Sequence, residues 1–255
     1  MPSATTKGHA AGLGATFLAQ EIDIYGREVI LDLREGNALA NSSVTAPAGT
    51  TTTVPEATSL AEFHEKIKDC VQCALGYTRR HFVFGSGNPN ATLMFIGEAP
   101  GQEEDEQGLP FVGAAGQLLT KIIGIAGFTR DEVYIANILK CRPPNNRVPL
   151  PVEVESCLPY LRRQIELIKP RYIFCLGRTA AQSLLGLTGA LGSIRHKTYQ
   201  SQEAKVFVTY HPSALLRNPQ WRWECYDDLK RFRAVYDAEV GDKPPMQNLE
   251  AKKRN

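Results

Sequence analysis

No apolar stretch in the 255 residues approaches the ~20 needed to cross a bilayer, so no membrane span is expected. The first residues lack a basic region followed by an apolar core and a cleavage site, so no secretory leader is expected and a cytosolic protein is. Without such a signal the six cysteines are not expected to pair as disulfides. An excess of one charge is also missing: 29 Lys and Arg stand against 27 Asp and Glu, and a net charge of +2 says little about partners. What is present is ordinary for a soluble globular protein, 43% apolar and 22% charged. The length suits one large α/β domain, or one domain with an appendage.

The distribution of charge says more than its sum. From Lys140 to Arg231 there are 15 Lys and Arg against 7 Asp and Glu, while the part before Lys140 has 9 against 16. A basic half facing an acidic stretch would suit a polyanion-binding surface around a carboxylate-containing site, although scattered surface cations give the same count. Residues 1–59 read as an extension, small and polar at 1–14 and rich in Ser, Thr, Ala and Pro at 40–58, expected to be either a disordered tail or to form a small hairpin at 21–33 around Tyr25-Gly26. The core is expected over 60–236, and a polar tail over 237–255.

The chain is organised around residues 93–119. A short apolar run, Leu93-Met94-Phe95-Ile96, has the length of a buried strand. Gly97-Glu98-Ala99-Pro100-Gly101 follows, where Gly and Pro end regular structure and let a backbone approach a ligand. Then come Glu103, Glu104, Asp105 and Glu106, and Pro110-Phe111-Val112-Gly113, before a helical pattern. A strand end, an acidic Gly-rich loop and a helix start form the kind of crevice in which open α/β sheets bind ligands. An acidic run on a surface turn is the plain alternative, but Phe111 has no periodic reason to stand between Pro110 and Gly113.

Ser59 can cap a helix with Leu60, Phe63 and Ile67 on one face. Further helices are expected at 115–126, 151–168 and 177–185, and strands at 133–139, 171–176 and 205–209. Between them, 189–199 reads as a basic loop with Arg195, His196 and Lys197, where His196 would meet phosphate or solvent. Alternating strands and helices argue for a three-layer α/β/α sandwich with a central, mainly parallel four-stranded sheet. Asn137 ends one strand and His211 follows another, the edge from which a parallel sheet presents chemistry. Cys70 and Cys73 form a C-x-x-C pair, and Cys141 and Cys157 a second pair. Four thiolates so arranged can hold zinc or an iron-sulfur cluster, and spacing does not decide between them. Cys175 and Cys225 read as structural.

These segments, with His211-Pro212-Ser213-Ala214-Leu215-Leu216-Arg217, resemble the family 4 uracil-DNA glycosylases over roughly residues 60–233. The resemblance implies a [4Fe-4S] cluster on Cys70, Cys73, Cys141 and Cys157, acting as a staple rather than a catalyst. It implies a monomeric DNA-repair hydrolase, cytoplasmic and nucleoid-associated. Its partner would be uracil-containing DNA, single- or double-stranded, from which it removes uracil and leaves an abasic site. Asn137 would read the base, since a carboxamide matches N3–H and O4 of uracil, although a strand-terminal Asn is otherwise a common turn former. His211 would stabilise charge on O2, Phe111 would stack on the ring, and Glu98 would be the first candidate to orient water, with Glu104 and Asp105 behind it. Ala99, Pro100, Gly101 and Glu104 would complete the substrate site. Ser213, Leu215 and Arg217 would meet DNA, with Leu215-Leu216 offering an apolar wedge, one of the two packing in the core.

Two departures qualify that resemblance. The most active branch of the superfamily carries a water-activating Asp where this chain has Ala99. A covalent branch carries an inserted basic loop with a nucleophilic His where this chain has Arg142-Pro143-Pro144-Asn145-Asn146-Arg147, so turnover is expected rather than a trapped adduct. A DNA-binding module without hydrolysis, and a zinc-stapled nucleotide-binding protein, are the competing expectations.

Overall fold

Residues 53–249 are described by the computed structural model; the hairpin expected at 21–33 and the basic residues 252–254 lie outside the described residues. In chain order the elements are α1 (Leu60–Ile67), β1 (Ser86–Gly87), β2 (Leu93–Gly97), α2 (Gln102–Gln107), α3 (Ala114–Ile125), β3 (Tyr134–Asn137) and α4 (Pro151–Ile168). They continue with β4 (Tyr172–Leu176), α5 (Arg178–Leu185), α6 (Leu191–Ile194), β5 (Tyr199–Ser201), β6 (Ala204–Thr209), α7 (Pro212–Arg217) and α8 (Arg222–Glu239).

Among the described residues, six strands form one sheet in the order β1-β3-β2-β4-β6-β5. The inner four run parallel, and β1 and β5 add antiparallel at the two edges. The expectation of four strands is therefore corrected to six. The two extra strands have only two and three residues, too few to show an alternating pattern. The inner strands are the apolar runs of the sequence, because a parallel strand covered on both faces needs apolar residues throughout.

Successive side chains of a strand point to opposite faces, which divides the core in two. Met94 and Ile96 of β2 join Phe63 of α1, Leu161 of α4 and Leu184 of α5. Leu93 and Phe95 join Leu119 and Ile123 of α3 and Phe232 of α8. Phe232 meets Phe174 and Phe207 edge-on, at 5.3 and 5.4 Å between ring centres, and burying such a ring stabilises the fold by about 1.5–3 kcal/mol. The result is the α/β/α sandwich expected. Ala57 is also buried, and its carbonyl accepts from Arg163 at 2.7 Å, so the folded unit begins before residue 60.

Two local expectations are corrected. The acidic stretch is not a loop: residues 102–107 form α2, whose acidic first turn is favourable beside the positive end of a helix. Gly108, at φ 71, ends it in the left-handed conformation that glycine adopts without penalty. The stretch 189–199, expected to be a basic loop, contains the short helix α6, and its Arg195 is buried.

Candidate active site

The carboxyl ends of β2, β3, β4 and β6 lie side by side, and a cavity of about 690 Å³ opens along that edge. Glu98, Phe111, Asn137 and His211 all line it, as do Ala99, Pro100, Gly101, Glu104, Ser213 and Arg217. Leu215 does not.

Asn137 is only 2% exposed, and its Oδ1 has no hydrogen-bonding partner. An unpaired buried acceptor costs about 1–3 kcal/mol, and such an atom facing a cavity is set for a ligand N–H. Gly97, opposite it on β2, makes the room: a Cβ there would press on Asn137 Oδ1 and stand 2.5 Å from Phe111 Cζ.

Phe111 has φ 53, a left-handed conformation that a bulky residue adopts only when its surroundings impose it. Those surroundings are visible. Gly116 lets α3 close onto the Phe111 carbonyl, where any Cβ would collide. Glu104 holds the flanking turn, its carboxylate accepting from the Gly101, Val112 and Gly113 N–H groups at 3.1, 2.9 and 3.0 Å. The Phe111 ring lies 5.5 Å from that of His211, tilted by 35°.

His211 caps α7, its Nδ1 accepting from the Ser213 N–H at 3.2 Å and lying 2.8 Å from Ser213 Oγ. Burial, with the Arg217 charge in second place, pushes the imidazole down to about 4. The ring is therefore neutral near pH 7, and with Nδ1 accepting, the proton sits on Nε2. His211 brings one N–H donor and no net charge.

The carboxylates separate by task. Glu98 lines the cavity at the end of β2. Glu104 is engaged by three main-chain donors, so what it holds is the Val112-Gly113 turn and the start of α2 rather than a water. Asp105, a weaker candidate for orienting water, is 4% exposed and accepts from the Arg80 N–H at 2.9 Å, so it fastens a neighbouring loop instead. The wedge expectation for Leu215 is corrected as well: Leu215 packs in the core at 5% exposure, whereas Leu216 is 48% exposed. On a short helix adjacent residues point about 100° apart, so only one of the pair can face out.

Several residues of the site were not anticipated. Lys140, fully buried, donates through Nζ to the Asn137 carbonyl at 2.9 Å and to Gln164 Oε1 at 2.6 Å. Its one sequence signal is a lone charge closing an apolar strand. Tyr210, next to His211, is clamped: its hydroxyl donates to Glu224 at 2.6 Å, Trp221 stacks on one face at 4.9 Å, and Arg195 lies over the ring at 4.9 Å. Arg195 also donates to Asp228 at 3.0 Å and Glu224 at 2.7 Å, both on α8. Such long-range pairs leave no periodic trace in a sequence.

Cys70, Cys73, Cys141 and Cys157 gather in one part of the core, on α4 and on the segments following α1 and β3. Burial pushes the Cys141 thiol up to about 11 and Cys157 up to about 12, and each also feels the charge of other members of the set. Donors surround the sulfurs: the Lys140 N–H reaches Cys157 Sγ at 3.3 Å, Arg79 reaches Cys141 Sγ at 3.5 Å, and the Tyr160 hydroxyl lies 3.4 Å from Cys70 Sγ. Among the described residues no three metal-binding side chains converge as they would on a single ion. An all-sulfur set ringed by hydrogen-bond donors has the chemistry to hold either a metal ion or an iron-sulfur group.

Residues 84–230 match the family described as the uracil DNA glycosylase superfamily. The type-4 uracil-DNA glycosylase of Pyrobaculum aerophilum is 47% identical over 181 residues, covering 68% of this chain and 92% of that protein. Its counterpart from Archaeoglobus fulgidus is 46% identical over 182 residues, with the same 68% and 92% coverage. The type-5 uracil-DNA glycosylase of Pyrobaculum aerophilum is 33% identical over 146 residues, covering 51% of this chain and 64% of that protein.

Proposed function

The chain belongs to the uracil-DNA glycosylase superfamily, and from that premise we propose that it hydrolyses the N-glycosidic bond of deoxyuridine with the base everted among Phe111, Asn137 and His211. The observation that carries this reading is the buried, unpartnered Asn137 Oδ1 at the wall of the cavity. Uracil N3–H supplies the missing donor, and the amide nitrogen of the same side chain can donate to O4. Cytosine offers an unprotonated N3 there, which would leave Oδ1 unpaired.

Cleavage leaves uracil as an anion, so the barrier falls if charge growing on O2 meets a fixed donor in a dry pocket. The neutral His211 suits that task with its Nε2–H, since its other nitrogen is committed to the Ser213 N–H. Stacking on Phe111 holds the ring, an interaction worth about 1–3 kcal/mol in base-aromatic pairs. Glu98 orients water and balances positive charge on the sugar. Ala99 cannot accept a proton and contributes only backbone and shape, as do Pro100 and Gly101. Glu104 keeps Phe111 and the loop in place. Arg217 meets phosphate, Ser213 holds the imidazole, and of the Leu215-Leu216 pair it is Leu216 that takes the wedge role.

Cys70, Cys73, Cys141 and Cys157 hold a [4Fe-4S] cluster, which when bound cross-links three chain segments and supplies no step of the hydrolysis. Uracil-containing DNA, single- or double-stranded, is the substrate of the monomer, in the cytoplasm at the nucleoid. No helix among the described residues is long and apolar enough to cross a membrane.

The test is a uracil-containing oligonucleotide incubated with protein and then alkali. Wild type gives a break at the uracil, and Asn137→Ala lowers the rate on the order of 10²-fold, as loss of one aligned polar group does. An intact oligonucleotide after wild-type treatment would sink the reading. Brown colour with broad visible absorbance, lost in Cys141→Ser, is the outcome expected for the cluster.

A further inference from the structure

Glu153, at the start of α4, is 2% exposed and is gripped by the segment before it. Arg147 donates to it twice, at 2.9 and 2.6 Å, and the Leu150 N–H donates at 2.8 Å. This buried carboxylate fixes an extended stretch, with Arg147 at ψ 161 and Leu150 at φ −75 and ψ 150. In extended chain alternate side chains share a side. Pro149 accordingly turns inward, while Val148 and Leu150 stand out, 58% and 47% exposed. A firmly held segment presenting apolar side chains to water marks a contact surface.

Its position indicates the occupant. Val148 lines the same cavity as Asn137 and His211. β3, which leads into this segment, and β6, which leads into α7, are the outermost of the four parallel strands. Val148, beyond β3, and α7, beyond β6, whose Ala214 and Arg217 line the cavity and whose Leu216 is 48% exposed, therefore stand at opposite ends of the sheet edge along which the cavity opens, with Arg178 also at its wall. Cations suit phosphates, and apolar tips suit base faces uncovered when a nucleotide leaves its stack.

We infer that the Val148–Leu150 rim is a second DNA contact, seated against bases beside the everted nucleotide while Leu216 fills the gap. The inference rests on the uracil-excision reading and adds to it a surface that only stacked DNA engages. A single strand has little stacking to break, so the rim matters for duplex and hardly at all for single strands.

The experiment compares the full-length, iron-loaded protein with its Val148→Ser/Leu150→Ser variant on one uracil-containing oligonucleotide, single-stranded and in duplex. Both positions are exposed, and matching iron content and thermal unfolding establish that the variant is folded. The expected result is a fall in duplex kcat/KM of about tenfold, with single-strand kcat/KM changed by less than about twofold. Equal loss on both substrates, or loss on neither, overturns the rim contact and leaves the excision reading standing. Wild-type activity confined to single strands also overturns it. So does a wild-type dimer in sedimentation that the variant converts to monomer, since the occupant is then a second copy. Wild-type inactivity on both substrates is failure of the excision reading itself, and the rim contact falls with it.

Discussion

Lys140 reaches back three residues to hold the main-chain oxygen of Asn137, 2.9 Å from its ammonium, inside a fully buried environment. The same residue's N–H points to Cys157 Sγ, so one side chain and one peptide join the cysteine set to Asn137. Lys140→Met keeps much of the volume and removes the donor, leaving the Asn137 carbonyl and Gln164 Oε1 unpaired. The expected cost is about 1–3 kcal/mol in folding stability, together with a lower kcat. Urea unfolding and single-turnover excision measure the two effects.

Gly97 is the clearance between Asn137 and Phe111. In Gly97→Ala a methyl group has to displace either the amide or the ring, and both are buried. Overpacking of this kind costs about 1–3 kcal/mol, and the cavity wall formed by Asn137 and Phe111 changes shape. Excision should fall by at least about tenfold with the cluster absorbance intact, which separates pocket damage from unfolding.

His211 makes stability depend on pH in a defined direction. Its folded value is depressed to about 4, below the ordinary value near 6.5. Its contribution is fully present above about pH 6.5, declines as the unfolded chain takes up a proton on acidification, and is lost once pH passes through about 4. After discounting for the ring's partial exposure the contribution is about 2 kcal/mol. Denaturant midpoints at several pH values across that window, compared with His211→Asn, which keeps a capping side chain without an imidazole, measure it.

Leu215 and Leu216 should respond oppositely. Leu215→Ala empties a core position and is expected to cost about 2–5 kcal/mol of stability. Leu216→Ala removes an exposed side chain and should leave thermal unfolding unchanged within about 0.5 kcal/mol. If it fills the gap left by the base, duplex excision slows while excision from a single strand does not.

The sequence makes the inner sheet legible for a simple reason. Leu93 to Ile96, Tyr172 to Leu176 and Val206 to Val208 are unbroken apolar runs, as strands covered on both faces require. The edge strands are too short and too polar to stand out, and α2 looks like a solvated acidic run until its Gly108 terminus is seen. Glu98, Asn137 and His211 could be placed near one edge because each lies at or just after a strand end, whereas Phe111, between α2 and α3, stood out only because no periodic pattern accounts for it. Which of Leu215 and Leu216 faces outward depends on the angle at which α7 leaves β6, and no local pattern encodes that. Lys140 and Arg195 were illegible for the opposite reason: charged residues are expected at the surface, and here burial is made possible by partners 24 and 33 residues further along the chain.

The clamp on Tyr210 has a bearing on how the protein comes into being. Arg195 and Tyr210 leave the ribosome before Glu224 and Asp228, the two carboxylates that secure them. Until α8 has emerged and docked, the stretch carrying His211 lacks its outer fastening. Maturation of the imidazole's position is thus a late event of biosynthesis, and a nascent chain halted before residue 224 should be devoid of glycosylase activity even with every cavity-lining residue up to Trp221 already polymerised.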